Sequence, residues 1–280
     1  EASVAAYRMI DMFDMQPHGV NSADEDMNGV SPNVATETCD VADFIYSNSW
    51  MLRVTGDGTY GDALEKAFHN AAPGAVNRTF DGHVYFQSPN FAPGAPAASP
   101  DRFMEEYYHT PPCCTGNQVR MLPNYIHHSW FGADGGLAVT MYGPTAVNTT
   151  LHGTEVRIVA STDYPFDDHV SYSVTIPAKP SAGLAFPLLL RVPKWVSAVG
   201  DALAVTVNGV AVLPTADPVR AAFARIDRSW RDGDTVSVTI PLRVRATQGR
   251  TIANGWGNTT ATAVEHRVVR KVGGPPLLGA

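Results

Sequence analysis

The placement of the cysteines is the feature that most constrains this chain. There are three, and they lie in two short segments together with one glutamate: Cys39 follows Glu37 by two residues, and Cys113 and Cys114 are adjacent. Zinc in proteins usually takes four nitrogen, sulfur or oxygen ligands in a tetrahedron, and these side chains form such a set. The pattern lacks the two-residue gap of zinc fingers, so small buried hydrophobic cysteines are the alternative. The sequence therefore favours a zinc–thiolate centre that joins the two segments.

Local sequence predicts that both segments lie beside helix starts. Residues two apart in a helix point to different faces, so we expect Glu37 in the turn before a helix and Cys39 in its first turn. We expect Cys113 and Cys114 immediately before another helix, which begins at residues 116–117. The partial positive charge of a helix N-terminus favours a thiolate over a thiol. This placement suits cysteines that bind a metal or act as nucleophiles.

Other roles for the cysteines are disfavoured. Three cysteines cannot all be paired, and a disulfide between the adjacent Cys113 and Cys114 would close a strained ring. A thiol oxidoreductase is a poor interpretation because the chain has no Cys-x-x-Cys motif. Reduced thiols fit the cytoplasm, and metal-held thiolates also persist in a periplasm, so the sequence does not fix a compartment.

Composition and charge limit the class of protein. With 280 residues, 44% of them hydrophobic and 17% charged, the chain is long enough for a large core and for two domains. Its net charge of −7 disfavours nucleic acid or an anionic membrane as a partner. The sequence has no run of eighteen apolar residues, so we predict no membrane-spanning segment.

Helical periodicity dominates the first half of the chain. Residues 18–36 are polar and predict a long loop, and loops of this length inside domains are usually functional or disordered. Residues 82–90 are aromatic and are predicted to be extended. The predicted helices span residues 4–15, 39–55, 60–72 and 117–130.

Short alternating or β-branched runs dominate after residue 132. Asn208-Gly209 lies between two valine-rich runs and is the strongest hairpin signal in the chain. About seven strands at this spacing favour an antiparallel β-sandwich. We therefore predict an α+β fold, with a helical region over residues 1–132 and a β-sandwich over residues 133–280. The predicted strands span residues 137–142, 155–161, 170–176, 186–192, 203–207, 222–227 and 235–240.

Several motifs in consistent order resemble the β-L-arabinofuranosidase family, glycoside hydrolase family 127. The likeness extends over most of residues 18–245. The motifs of the first half are Glu37-Thr38-Cys39, Leu64-Glu65-Lys66-Ala67-Phe68-His69-Asn70 and Cys113-Cys114-Thr115-Gly116-Asn117. Those of the second half are Leu190-Arg191-Val192-Pro193-Lys194-Trp195, Val207-Asn208-Gly209 and Arg228-Ser229-Trp230-Arg231-Asp232-Gly233-Asp234.

The resemblance implies a role for each residue of the cysteine–glutamate set. In that family a glutamate and three cysteines bind zinc, and the first cysteine of the adjacent pair is the nucleophile. By motif, the implied zinc ligands are Glu37, Cys39, Cys113 and Cys114, and Cys113 attacks the anomeric carbon. The implied reaction is hydrolysis with retention, which releases non-reducing-end β-L-arabinofuranose or a related furanose from a plant-type oligosaccharide or glycoside.

The resemblance also implies an acid/base and sugar contacts. Glu25 is the best candidate for the acid/base, although His18-Gly19 is followed by Val20 and not by the glutamate familiar in the family. The alternative for Glu25 is an exposed acidic run on a solvated loop. Glu65 matches a position that contacts sugar hydroxyls, or is an ordinary glutamate on a helix surface. Tyr85 resembles an aromatic residue that lines the sugar pocket, or belongs to the core.

The resemblance further implies a partial (α/α)6-type barrel before the β-sandwich. Family members are longer and begin with helices that this sequence does not contain. The chain is accordingly interpreted as a fragment, a partial gene product, or a subunit that needs a partner chain to complete the barrel. The rival function is an inactive, zinc-stabilised carbohydrate-binding or structural remnant of the family.

Overall fold

The computed structural model describes residues 1–23, 26–27, 29–30, 34–79, 82–89, 113–249, 252–253 and 266–272, with side chains described through residue 244. Helices make up most of the described part before residue 128, and strands make up most of it afterwards. The first elements are α1 (Ala2–Phe13), β1 (Gly29–Val30), β2 (Thr36–Glu37), α2 (Thr38–Thr55), α3 (Gly58–Gly74), β3 (Phe86–Gln87), α4 (Cys113–Gln118) and α5 (Met121–His127).

The later elements are mainly strands, with one short helix between them. They are β4 (Trp130–Ala133), β5 (Gly136–Val139), β6 (Ala146–Leu151), β7 (Thr154–Ser161), β8 (His169–Thr175), β9 (Leu184–Arg191), α6 (Lys194–Ser197), β10 (Ala204–Val207), β11 (Val210–Val212), β12 (Thr215–Ala216), β13 (Phe223–Trp230), β14 (Thr235–Thr239), β15 (Arg243–Gly249), β16 (Ile252–Ala253) and β17 (His266–Val272).

Two larger sheets organise these strands. One has six strands in the order β11-β10-β14-β8-β7-β6, and the other has five in the order β12-β13-β9-β5-β4. The predicted hairpin is confirmed, because Val207 pairs with Val210 across Asn208 and Gly209. Both turn residues have positive φ, 51° and 78°, as a two-residue type I′ turn requires.

One strand pair departs from the predicted antiparallel pattern. Strands β5 and β9 are parallel, with Leu137 opposite Leu188. Between them the chain passes through β6, β7 and β8, which belong to the other sheet. That long connection lets the chain return in the same direction, which a tight hairpin cannot do.

The five-stranded sheet is buried on both faces, and this explains the continuous apolar run of β9. Leu188 and Leu190 belong to a core shared with the six-stranded sheet. Leu189 points the other way and packs in a second core with Ile45 of α2 and Leu64 of α3. Strands covered on both sides are apolar without alternation. The helices therefore pack on one face of this sheet, and the six-stranded sheet shares a core with the other.

The helical region differs from the prediction around residue 117. The predicted helix over residues 117–130 is two short helices, and the first begins earlier, at Cys113. Pro123 lies in the first turn of α5, where its missing N–H costs no helical hydrogen bond. Trp130, expected in the helix, begins β4 and pairs with Val139. Edge pairing with β5 therefore outweighs helical periodicity at this position.

The mixed α+β class is confirmed. Within the residues that the structure describes, α2 packs against α3, α4 and α5, and these helices do not close a barrel. A partial (α/α)6 barrel followed by a β-sandwich, divided at residues 132 and 133, stays a prediction. Of the helices described, none has both the length and the apolar character needed to cross a bilayer.

Candidate metal centre

The turn from β2 into α2 places Glu37 and Cys39 as predicted. Glu37 is the last residue of β2 and the N-cap of α2, and Cys39 is the second residue of the helix. Strand β2 pairs with β3, with Glu37 opposite Phe86. Thr38 adds two hydrogen bonds, from its backbone N–H to the carbonyl oxygen of Tyr85 (3.0 Å) and from its hydroxyl to that of Val84 (2.7 Å). These bonds fix the direction in which the turn presents its side chains.

The other two cysteines open α4. The sequence predicted them just before a helix, whereas Cys113 and Cys114 are its first two residues. Helix α4 packs against α2, which brings the cysteines of the two segments together. Cys114 is fully buried in a small apolar cluster with Tyr85 and Phe86. Packing of Cys114 therefore anchors the pair.

The four predicted ligand atoms converge. The Sγ atoms of Cys39 and Cys114 are 3.4 Å apart. Glu37 Oε1 lies 3.5 Å from the Sγ of Cys114 and 3.8 Å from the Sγ of Cys113. All four ligand atoms lie within 4.8 Å of one another. The two segments, far apart in sequence, thus form one cluster.

The spacing of the cluster fits a metal ion. A tetrahedral zinc ion with Zn–S bonds of about 2.3 Å and a Zn–O bond of about 2.1 Å places its ligand atoms about 3.6 to 3.8 Å apart. The recorded separations of 3.4, 3.5 and 3.8 Å are close to this range. Cysteine sulfur and carboxylate oxygen are both ligands that zinc takes in proteins. These side chains could therefore hold a metal ion.

The three thiols differ in their access to solvent. Cys113 is exposed, Cys39 is half-buried and Cys114 is buried. The hydrogen bond with Cys114, followed by burial, raises the pKa of Cys39 well above the usual range. Burial, followed by the neighbouring Cys39, also raises the pKa of Cys113. The protein alone therefore favours thiols, and a bound cation would reverse this, because a coordinated thiol loses its proton.

A buried carboxyl group beside the cluster was not predicted. Asp40 follows Cys39 in the first turn of α2, and burial raises its pKa to about 7 even though Asn21 donates a hydrogen bond to it. Within the described residues, its Oδ2 has no hydrogen-bond partner. The sequence gave no signal for this, because an aspartate in the first turn is an ordinary feature of helix starts.

Glu65 has a role that neither sequence interpretation anticipated. It is 2% exposed, so it is not a helix-surface residue. One carboxylate oxygen accepts a hydrogen bond from the hydroxyl of Tyr164, and the other is paired with the guanidinium of Arg191. Glu65 thus belongs to an internal ion pair between α3 and β9. Its contact with a sugar hydroxyl stays a prediction.

Other buried groups surround this ion pair. Arg191 is fully buried and also pairs with Asp62, one turn before Glu65 in α3. Gly61 lets the Arg191 side chain pass close to the backbone of α3, because a Cβ atom at position 61 would lie only 2.7 Å from the Cδ of Arg191. His69 lies one turn after Glu65, and its Nε2 is 3.2 Å from the hydroxyl of Tyr125. The spacing of Asp62, Glu65 and His69 was a visible sign of one polar helix face.

The two remaining predicted residues have different outcomes. Tyr85 is buried, and its ring lies edge-on to that of Phe86 with centroids 4.4 Å apart. It packs next to Cys114, and its contact with a sugar stays a prediction. Glu25 lies outside the described residues, so its role as acid/base also stays a prediction.

Comparison with known families identifies the chain. The sequence-family model of the β-L-arabinofuranosidase GH127 catalytic domain matches residues 19–127. The family model of the GH127 middle domain matches residues 136–242. The chain belongs to the GH127 family. The first match of this GH127 chain contains Glu37 and all three cysteines, and the second contains every strand of the two larger sheets except β4.

A curated relative and solved structures agree with this assignment. A non-reducing end β-L-arabinofuranosidase of Bifidobacterium longum is 25% identical over 210 residues, which are 74% of this chain and 30% of that protein. The structure of a GH127 β-L-arabinofuranosidase from Geobacillus stearothermophilus T6 has a TM-score of 0.72 and 21% identity, covering 94% of this chain and 41% of the other.

Two further structures show the same fold. One, named a glycoside hydrolase, has a TM-score of 0.74 and 22% identity. The match covers 94% of this chain and 46% of that one. The other, a GH127 β-arabinofuranosidase, has a TM-score of 0.68 and 19% identity. The match covers 92% of this chain and 41% of that one. The GH127 chain therefore spans less than a third of its curated relative and less than half of each structure.

Proposed function

We propose that this GH127 chain carries the zinc–thiolate centre of a retaining glycoside hydrolase. The proposed substrate is a plant-type oligosaccharide or glycoside with a non-reducing-end β-L-arabinofuranose or a related furanose. The observation that carries the proposal is the convergence of Glu37 and three thiols, of which Cys113 alone is exposed. The family and the name of the curated relative support the sugar class.

Zinc is the ion that this donor set favours. Thiolate ligands select soft or borderline metals, and a tetrahedral site with three sulfurs is typical of zinc. When bound, zinc would keep the cysteine sulfurs deprotonated at neutral pH. The chain itself supplies Cys39 and Cys114 from inside the protein and Glu37 from the turn before α2. The three would hold the ion from one side while Cys113 faces solvent.

The first chemical step forms a covalent intermediate on Cys113. Its thiolate sulfur donates an electron pair to the anomeric carbon, so that an S–C bond forms while the glycosidic C–O bond breaks. The leaving oxygen takes the electron pair of that bond and a proton from the general acid. Glu25, which lies outside the described residues, is the proposed general acid. This step corresponds to the retaining scheme with sulfur in place of the second carboxylate.

The second step releases the sugar. Water attacks the anomeric carbon, the S–C bond breaks, and its electron pair returns to the sulfur of Cys113. The proton of the water passes to the carboxylate left by the first step, so both groups are regenerated. Two displacements at the same carbon return the original configuration, which is why the proposal specifies retention.

The remaining parts of the site are proposed from the family resemblance. Glu65 and Tyr85 are the proposed sugar-binding residues, and a partial (α/α)6 barrel over residues 1–132 is the proposed scaffold, followed by a β-sandwich over residues 133–280. A partner chain or further chain segment is the proposed source of the helices that complete the barrel. The chain's coverage of 41% of each of two solved GH127 structures supports this.

The rival function is a zinc-stabilised carbohydrate-binding or structural remnant without turnover. The observation that favours it is the same short coverage, together with the open arrangement of the described helices. A structural zinc site is closed and inert, whereas a catalytic site keeps a reactive position. The reactivity of Cys113 therefore separates the two functions.

The test is covalent labelling of the metal-loaded chain with an arabinofuranosyl-directed electrophile, followed by peptide mass spectrometry. Labelling at Cys113 and not at Cys39 or Cys114 is expected, and zinc removal should abolish the selectivity. Hydrolysis of p-nitrophenyl β-L-arabinofuranoside by the wild-type chain, and its loss in Cys113→Ser, would complete the assignment. Zinc-loaded chain that neither labels at Cys113 nor hydrolyses the glycoside would support the remnant.

A further inference from the structure

A cavity with a cationic lining lies away from the metal centre. It has a volume of about 470 Å³ and lies where the ends of α2 and α5 meet β4 and β5. Volumes of about 300 to 1,000 Å³ are usual for small-ligand sites. Among the described residues that line it there is no aspartate or glutamate, although the chain as a whole is acidic. The polar and aromatic residues of its lining are Arg53, His127, His128, Thr140, Arg220, Trp130, Phe131 and Phe223.

Arg53 supplies a positive charge that no described carboxylate neutralises. It lies in the last turn of α2 and is exposed. Its guanidinium carbon lies 4.9 Å from the centre of the Trp50 ring, a cation–π contact that holds the side chain in place. Over the part of the chain that the structure describes, Arg53 forms no ion pair with a carboxylate. Its planar fork of donors is therefore available to an anion from solution.

His128 is a buried residue of the lining whose second ring nitrogen has no hydrogen-bond partner among the described residues. The residue is 3% exposed, and its Nδ1 lies 2.8 Å from the carbonyl oxygen of Asn124. Because a carbonyl oxygen only accepts, Nδ1 carries the hydrogen, and Nε2 is the second polar atom of the ring. No described residue forms a hydrogen bond with Nε2. Burial lowers the pKa of His128, and the neighbouring His127 and Arg53 lower it further.

The second arginine of the lining is already compensated. Arg220 is paired with Asp134 at 3.1 Å and with Asp217 at 3.4 Å. Both aspartates also bind Arg225. The cavity thus has one uncompensated fixed positive charge, that of Arg53, beside the unpartnered Nε2 of His128.

We propose that this cavity binds a sugar acid of monosaccharide size, of the hexuronate class, through its carboxylate. Arg53 pairs with the carboxylate, His128 Nε2 accepts a hydrogen bond from a hydroxyl of the ligand, and the aromatic ring of Phe131, which lies edge-on to His128, faces the apolar side of the sugar ring. A single carboxylate matches a single uncompensated guanidinium in charge and in planar geometry. A phosphate dianion would leave a second negative charge without a partner. This site is independent of the metal centre and of the proposed hydrolase function.

Calorimetric titration of the full chain at constant ionic strength tests the proposal. The probes are sodium glucuronate, glucose as the neutral analogue, and inorganic phosphate. We expect glucuronate to bind at least about tenfold more tightly than either of the others, because glucose lacks the charge and phosphate lacks the ring. The imidazole signals of His128 should shift in nuclear magnetic resonance spectra when glucuronate is added.

Variants locate the binding. Arg53→Met should weaken glucuronate about tenfold or more, and because Arg53 is exposed this variant should fold normally. Arg231→Met is the matched control, since Arg231 is exposed and lies in the turn between β13 and β14, and it should bind as the wild type does. Equal affinity for glucuronate and glucose would overturn the proposal. So would binding of phosphate as tight as that of glucuronate, or an Arg53→Met affinity within twofold of the wild type.

Discussion

The Sγ atoms of Cys39 and Cys114 lie 3.4 Å apart although the residues are 75 positions apart in sequence. The contact joins the first turn of α2 to the first turn of α4, with Glu37 and Cys113 beside it. The hydrogen bond with Cys114 and burial raise the pKa of Cys39, so the protein alone keeps this thiol protonated, and a cation among the four groups would reverse that.

Removal of the proposed zinc ion should destabilise the chain. An ion that binds the folded state and not the unfolded one adds RT ln(1 + [L]/Kd) to stability, which is about 4 kcal/mol at a thousandfold excess over Kd. A strong chelator should therefore lower the melting temperature by several degrees, and added zinc should restore it. Calorimetry measures this directly. In Cys114→Ser the chelator should have a much smaller effect, and an unchanged effect would place the metal elsewhere.

The buried ion pair between Glu65 and Arg191 should be sensitive to removal of one partner. Breaking a buried pair leaves an uncompensated charge and costs about 3 to 5 kcal/mol. Arg191→Met should therefore strongly reduce the free energy of unfolding in urea, and Arg191→Met with Glu65→Gln should lose less than the sum of the two single changes. Arg243→Met breaks an exposed pair with Asp201 and serves as the control, with little expected change. Additive losses would mean that the two side chains are not coupled.

Two partly buried groups on α3, Asp62 and His69, should give opposite pH dependences. Burial lowers the pKa of His69 to about 4, so the unfolded chain binds more protons between about pH 4 and 6.5, and stability falls as the pH drops through that range. Burial raises the pKa of Asp62 to about 6, opposed by Arg191. The folded chain then binds more protons than the unfolded chain between about pH 4 and 6, and the stability that Asp62 contributes is lost as the pH rises through this range.

Single substitutions should expose each contribution. In the wild type, proton uptake by Asp62 stabilises the folded chain as the pH falls, and Asp62→Asn removes this stabilisation. Between pH 7 and pH 4.5 the free energy of unfolding of Asp62→Asn should therefore fall by about 2 kcal/mol more than that of the wild type. His69→Gln should fall by less than the wild type over the same interval. Urea unfolding at the two pH values measures both differences. Identical pH dependence in all three proteins would rule out these shifted pKa values.

The hairpin between β10 and β11 should require glycine at its second turn position. Gly209 has φ of 78° and open space around it, so a methyl group there meets backbone strain and no clash. Gly209→Ala should cost about 1 kcal/mol of unfolding free energy. Gly132→Ala is the matched control, because Gly132 also has open space and no positive φ. Similar stability of the two variants would contradict the assignment of a type I′ turn.

The parts that could be predicted from sequence depend on local signals. The turn before α2 was predicted from the two-residue spacing of Glu37 and Cys39, and the hairpin from Asn208-Gly209. These features depend on the conformation of a few adjacent residues. The strand run of β9 was also visible as a continuous stretch of leucine.

The parts that could not be predicted depend on residues far apart in the chain. Glu65 and Arg191 are 126 positions apart, and nothing near either residue indicates the pair. The parallel pairing of β5 with β9 depends on a path through the other sheet. Trp130 continues a helical pattern in sequence, but pairing with Val139 places it in a strand. Tertiary contacts outweigh local preference in each case.

X-ray absorption spectroscopy of the zinc-loaded chain is the most direct test of the metal centre. One zinc per chain, with three sulfur ligands at about 2.3 Å and one oxygen ligand at about 2.0 to 2.2 Å, is the predicted result. In Cys113→Ser the sulfur count should fall by one. A chain that binds no zinc, or a zinc ion surrounded only by nitrogen and oxygen, would contradict the account.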